Sequence, residues 1–164
     1  YQGDEVNLIE VGIGEFNASS DIDSVIKTYA LGSCVAVIIY DSVNKIGGMI
    51  HIALPDSEIN IEKSERHPAY FANTGLPLLF KKMNELGAKR TSSWIKMAGG
   101  ASVIKSCESF DIGKRNVLAV SKILWNKKLG IKKEDVGGNH SRTVSLNIAD
   151  GTVTLTNSGK NWEI

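Results

Sequence analysis

Only two cysteines, Cys34 and Cys107, three histidines and three prolines occur in 164 residues. No CxxC, HxH or HExxH spacing links the cysteines to His51, His67 or His140, so the short ligand patterns of zinc sites are absent and no metal is expected. No window approaches the ~20 consecutive apolar residues that cross a bilayer, which excludes membrane insertion by a helix. The first ten residues carry Asp4 and Glu5 where an export signal would be basic and then apolar, so the chain reads as cytoplasmic. In that compartment Cys34 and Cys107 are two thiols rather than a staple. The chain opens on Tyr1 instead of Met, so the numbering is expected to begin inside a longer product or after removal of a tag or initiator. Nineteen Lys and Arg against eighteen Asp and Glu leave a net charge of +1, and no field of the whole molecule would hold nucleic acid. Glycine pairs are present, but no G-x-x-x-x-G-K-[ST] and no G-x-G-x-x-G opens a helix. The pairs therefore read as tight turns and close contacts, and no cofactor is expected.

What is present is core material: 42% hydrophobic and 23% charged residues, enough for a chain of this length to bury about 70% of its unfolded surface. With no repeat and no linker, residues 1–164 are expected to form one domain. Residues 6–13 alternate as a half-buried strand closed by Gly14, and residues 17–24 read as a polar loop. Residues 25–31 and 35–40 are apolar runs rich in β-branched side chains, predicted as strands meeting at the tight turn Gly32-Ser33-Cys34. Another strand is predicted over 46–54, with Gly47 and Gly48 letting another backbone come close, and Pro55-Asp56 ends it. Residues 57–66 read as a charged loop. Pro68 opens a helix reaching Gly87, which Pro77 should kink or divide.

A strand over 94–98 and a helix near 114–129, stopped by Gly130, follow. Residues 143–148 and 152–156 then form a hairpin about Asp150-Gly151. About eight strands and two long helices make an α+β chain with a mixed sheet. Lys127, Lys128, Lys132 and Lys133 read as a solvated helix end, docking to an acidic partner being the lesser alternative.

Cys34 sits at a turn of small residues with backbone N–H groups beside it, a plausible setting for a nucleophile. A thiol with an ordinary pKa of ~8.5 needs a base near neutral pH. His51 is the candidate, because antiparallel strands joined at residues 41–45 would carry it towards Cys34. The plain alternative, a cysteine packed as a small hydrophobe, stays open on spacing alone. Cys107, in Lys105-Ser106-Cys107-Glu108, has neither turn glycine nor histidine beside it and reads as structural or incidental.

In order along the chain, Gly12-Ile13-Gly14-Glu15, Leu31-Gly32-Ser33-Cys34-Val35-Ala36-Val37, Gly48-Met49-Ile50-His51-Ile52-Ala53-Leu54-Pro55-Asp56-Ser57, Ala98-Gly99-Gly100-Ala101, Ile112-Gly113-Lys114-Arg115-Asn116 and Gly137-Gly138-Asn139 with Arg142 resemble the chemoreceptor glutamine deamidase family, CheD. The resemblance runs from about residue 12 to about 156, and its most specific part is the Gly-Ser-Cys turn followed by His-x-x-Leu-Pro-Asp-Ser. It implies a layered α/β sandwich with mixed, largely antiparallel β-sheets and two long helices, related to deamidating toxins. It implies a protein-glutamine glutaminase whose cysteine, histidine and threonine fall on Cys34, His51 and Thr28. The substrates would be methyl-accepting chemotaxis receptors, and many members dock a CheC-type phosphatase, so an adaptor role is the alternative. A thiol peptidase would use the same residues on backbone amides. Residues 58–66 match loosely, and His140 stands where no fixed residue is expected.

Overall fold

The computed structural model describes residues 5–102 and 111–164; Cys107 lies outside the described residues. The elements among them run β1 (Asn7–Glu10), β2 (Phe16–Ser19), β3 (Ser24–Leu31), β4 (Val35–Asp41), β5 (Ile46–Ile52), α1 (Ile61–Arg66), α2 (Ala72–Glu85), β6 (Ser93–Gly99), α3 (Ile112–Asn126), β7 (Lys133–Val136), β8 (Arg142–Asn147), β9 (Val153–Asn157) and β10 (Lys160–Glu163). Two five-stranded sheets result, one ordered β1-β3-β8-β9-β10 and the other β2-β5-β4-β6-β7. Among the strand pairs of the described residues, only β1–β3 and β6–β7 are parallel. This is the expected layered α+β sandwich with mixed, largely antiparallel sheets.

Strands β4 and β5 are buried at every position, because the second sheet is covered on both sides. One face carries Val35, Val37, Ile39, Ile50 and Ile52 against Leu76, Leu79 and Met83 of α2 and Val120 and Leu124 of α3. The other carries Ala36, Ile38, Tyr40 and Met49 against Ile26, Val144, Leu146, Val153 and Leu155 of the first sheet. A strand enclosed in this way must be apolar on both faces, which is why 35–40 reads as a continuous run rather than an alternation. Each such aliphatic side chain contributes about 1.5–3 kcal/mol by leaving water. By contrast, β8 alternates buried and half-buried residues, as expected of a strand with one face on the core.

Several expectations are corrected. The strands flanking Gly32-Ser33-Cys34 do not pair with each other: β3 belongs to the first sheet and β4 to the second, so the turn is a corner between layers. Residues 17–24 are not all loop, since β2 lies antiparallel along β5 as an edge strand; an edge pairs through its backbone and needs little apolar signal. Strand β1 stops at Glu10, and Ile13 is exposed. The charged stretch 57–66 holds a short 3-10 turn and then α1, capped by the Asn60 carboxamide on the Lys63 N–H. Helix α2 continues through Pro77 undivided, losing one backbone rung near its start while Leu76 and Leu79 stay packed on the sheet. The left-handed stop of α3 falls on Lys128 (φ 59°) rather than Gly130. Strands β7 and β10, too short and polar to stand out in the sequence, bring the number among the described residues to ten. Gly47 and Gly48 do mark close approach, but of side chains: a Cβ on Gly47 would strike Ile148 and Leu146, and one on Gly48 would strike Leu79 and Met83.

Candidate active site

His51 sits in β5 directly opposite Ala36 of β4. Both β4 neighbours of Ala36, Val35 and Val37, face the helices, so Ala36 and His51 face the first sheet. Thr28 meets His51 there from β3, its Oγ1 2.7 Å from the imidazole Nδ1. The same hydroxyl lies 2.6 Å from the Val11 carbonyl. A threonine hydroxyl has one hydrogen, and a carbonyl can only accept. That hydrogen therefore goes to Val11, Thr28 accepts from Nδ1–H, and the imidazole is fixed with a bare lone pair on Nε2. Nε2 is buried and has no hydrogen-bond partner among the described residues. An unsatisfied buried acceptor is unfavourable unless something uses it.

Thr28 reaches this point because β3 is irregular just beyond it. The register with β8 shifts between Thr28 and Leu31, and Ala30 adopts φ 51°. Tyr29 and Ala30 bulge outward, while Thr28 and Leu31 both stay buried. The backbone of His51 is clasped in turn: Gly14 N–H donates to its carbonyl (2.9 Å), and its own N–H donates to Glu15 (3.0 Å). Gly14 makes that turn with φ +74°, a region that favours glycine.

Cys34 precedes β4 and lies two residues before Ala36, the partner of His51. It packs half-buried against the same inter-sheet cluster. In an antiparallel pair, such diagonal neighbours on one face lie about 7–8 Å apart, within side-chain reach. Burial pushes the Cys34 thiol above its ordinary value, while the nearness of its own backbone N–H favours the thiolate and opposes part of that rise. Burial also pushes His51 down, to about 4. Near neutral pH the two are therefore a neutral thiol and a neutral imidazole rather than an ion pair.

Comparison with known proteins decides the family. The family model described as CheD chemotactic sensory transduction matches residues 53–157. A curated relative, "Probable chemoreceptor glutamine deamidase CheD" of Syntrophotalea carbinolica, is 51% identical over 94% of this chain and 97% of its own length. "Probable chemoreceptor glutamine deamidase CheD 1" of Syntrophus aciditrophicus is 44% identical over 91% of this chain and 93% of its own. "Chemoreceptor glutamine deamidase CheD" of Halalkalibacterium halodurans is 43% identical over 86% and 88%. The chain belongs to the CheD family. The stretch matched by the CheD model begins just after His51, so Thr28, Cys34 and His51 are covered by the near-full-length CheD relatives rather than by the model.

Several residues that carried the CheD resemblance hold the cysteine turn in place. Gly99 has φ +109°, and a Cβ there would run into the Cys34 carbonyl oxygen. That oxygen accepts from Gly100 N–H (2.8 Å), and Ala101 N–H donates to Gly32 (2.8 Å). Asn116, fully buried on α3, donates from Nδ2 to the carbonyls of Ser33 (2.9 Å) and Ala53 (3.0 Å). A search for apolar periodicity passes over Asn116 because it is polar, although it falls on the buried face with Gly113, Val120 and Leu124. His67 caps the end of α1, and His140 stacks edge-on to Trp162; neither joins Thr28 and His51. Among the described residues no cluster of three metal-ligating side chains occurs, and no helix is long and apolar enough to cross a membrane.

Proposed function

We propose that this chain hydrolyses the side-chain amides of glutamines on chemoreceptors, releasing ammonia and leaving glutamate, with Cys34 as nucleophile, His51 as base and Thr28 orienting His51. The observation that carries the reading is His51 Nε2, a buried lone pair fixed by Thr28 on the sheet face against which Cys34 packs. The activity named for the relatives supports the choice of substrate.

Because thiol and imidazole rest neutral, the proton passes to Nε2 as sulfur attacks the carboxamide carbon. The S–C bond forms, the carbonyl electron pair moves to oxygen, and the Cys34 backbone N–H is a donor placed for that oxyanion. An imidazolium as acidic as that of buried His51 readily gives its proton to the departing nitrogen. The C–N bond then breaks and ammonia leaves a thioester. Water, deprotonated at Nε2, attacks the thioester carbon, and C–S cleavage returns the thiol and yields glutamate.

The test is ammonia release from receptor cytoplasmic fragments. Cys34→Ala is expected to lower it by about 10³-fold or more with the fold intact; undiminished release would remove Cys34 as nucleophile. Mass spectrometry of the substrate is expected to show an intact chain about 1 Da heavier per event, the change from amide to acid, whereas a peptidase would divide it. The same variant also separates the adaptor role that the resemblance implies, since stimulation of a CheC-type phosphatase does not need the thiol.

A further inference from the structure

We infer that Asn116 is a positioning residue for the oxyanion site: its carboxamide grips the Ser33 carbonyl and so turns the Cys34 backbone N–H towards the oxygen of the reacting carboxamide, an inference that rests on Cys34 being the nucleophile. A trans peptide places C=O and N–H on opposite sides of one rigid plane. Asn116 approaches the Ser33–Cys34 peptide from α3, on the helix side of the sheet, and Nδ2 lies 2.9 Å from the Ser33 oxygen. The Cys34 N–H therefore points away from α3, towards the inter-sheet face where the sulfur packs.

The carboxamide cannot be turned around. Both of its contacts are carbonyl oxygens, which only accept, so the NH2 group must face them. Among the described residues Oδ1 is then left buried with no hydrogen-bond partner. Leaving a buried acceptor unpaired is unfavourable, and a leucine of similar volume would avoid it, so the residue answers a demand other than packing. The second contact, to Ala53, reaches the segment two residues after His51. One side chain thus spans the turn carrying the thiol and the strand carrying the base. The following peptide is pinned independently, by Gly100 N–H on the Cys34 carbonyl, so loss of Asn116 frees the plane before Cys34 without releasing the plane after it.

Two reactions of the same sulfur separate orientation of the N–H from simple support of the turn. Deamidation builds an oxyanion, whereas displacement of iodide from iodoacetamide does not. In Asn116→Leu, kcat for ammonia release from a receptor fragment is expected to fall about 10²-fold, the usual effect of losing one oxyanion donor. KM and the rate of Cys34 alkylation should remain near those of the parent. A kcat close to the parent's, or alkylation falling in step with kcat, would overturn the proposal. Undiminished release from Cys34→Ala would instead overturn the reading of Cys34 on which it rests. Asn116→Ala carries the same pair of measurements if the leucine variant does not fold. Without any variant, the Asn116 carboxamide protons of the parent are expected to exchange at least about 10²-fold more slowly than those of a free carboxamide; unprotected protons would overturn the proposal directly.

Discussion

At the scale of single residues, the chemistry depends on which imidazole nitrogen is bare, and one hydroxyl decides it. Thr28→Val keeps the shape, removes the acceptor of Nδ1–H and frees the tautomer. Ammonia release is expected to fall on the order of 10²-fold, with Thr28→Ser restoring most of it, as steady-state kinetics of the two variants would show. His51 also couples the site to pH. Its folded value is about 4 against an ordinary 6.5, so between those limits the unfolded chain binds a proton that the folded chain refuses. Stability should therefore decline as pH falls from about 6.5 to about 4, by about 3 kcal/mol from this group. Urea unfolding at pH 4.5 and 7.0 checks the sign: the gap between the two should narrow in His51→Gln. Cys34 and His51 were readable as candidates in the sequence. The imidazole's tautomer and the protonation of the pair were not, because the first depends on Val11 and Thr28, distant in sequence and adjacent only after folding, and the second on burial.

At the scale of elements, the cysteine turn is held by the end of β6 and by α3. Gly99→Ala asks an L-residue to adopt φ +109° and drives its Cβ into the Cys34 carbonyl. Destabilisation of about 2 kcal/mol or more is expected in chemical unfolding, with loss of ammonia release in the fraction that remains folded. At the opposite end of β4, the Asp41 carboxylate receives Val43 N–H, Asn44 N–H and Nδ2, Lys89 N–H and the Ser92 hydroxyl. Burial alone would raise its pKa, but these hydrogen bonds outweigh it and hold the group below the usual carboxylate range. Asp41→Ala should lower stability by about 3 kcal/mol while leaving the rate per folded molecule unchanged, since this turn is remote from Cys34. The β4–β5 pairing was legible from two apolar runs around a polar turn. The edge strands β2, β7 and β10 were not, because backbone pairing sets them and their side chains carry little pattern.

At the scale of the whole molecule, the sheets must stay closed for Thr28 on one to meet His51 on the other. Arg142 of β8, 2% exposed, spans them. It pairs with Asp135 of β7 (2.8 Å) and donates to Gly137 (2.8 Å), and Asp135 accepts also from Trp162. Its Nη1 reaches the Gly99 carbonyl (3.4 Å), next to the contact that holds Cys34. Arg142→Met should cost about 3 kcal/mol by leaving carbonyls and a half-buried carboxylate without their donor. Thermal melts and ammonia release of the variant should fall together, because the clamp and the floor of the site are one structure.

The sequence by itself determined the strands that form the sandwich's interior, the two long helices, and the turn that offers Cys34, because burial on both faces and helical spacing are local patterns written in residue order. Only the tertiary structure decided that β3 and β4 separate into different sheets, that a threonine hydroxyl selects the imidazole's free nitrogen, and that a buried asparagine grips the peptide ahead of the thiol. Those are contacts between segments far apart in the chain, and their directions are fixed by hydrogen-bond geometry that no residue carries alone.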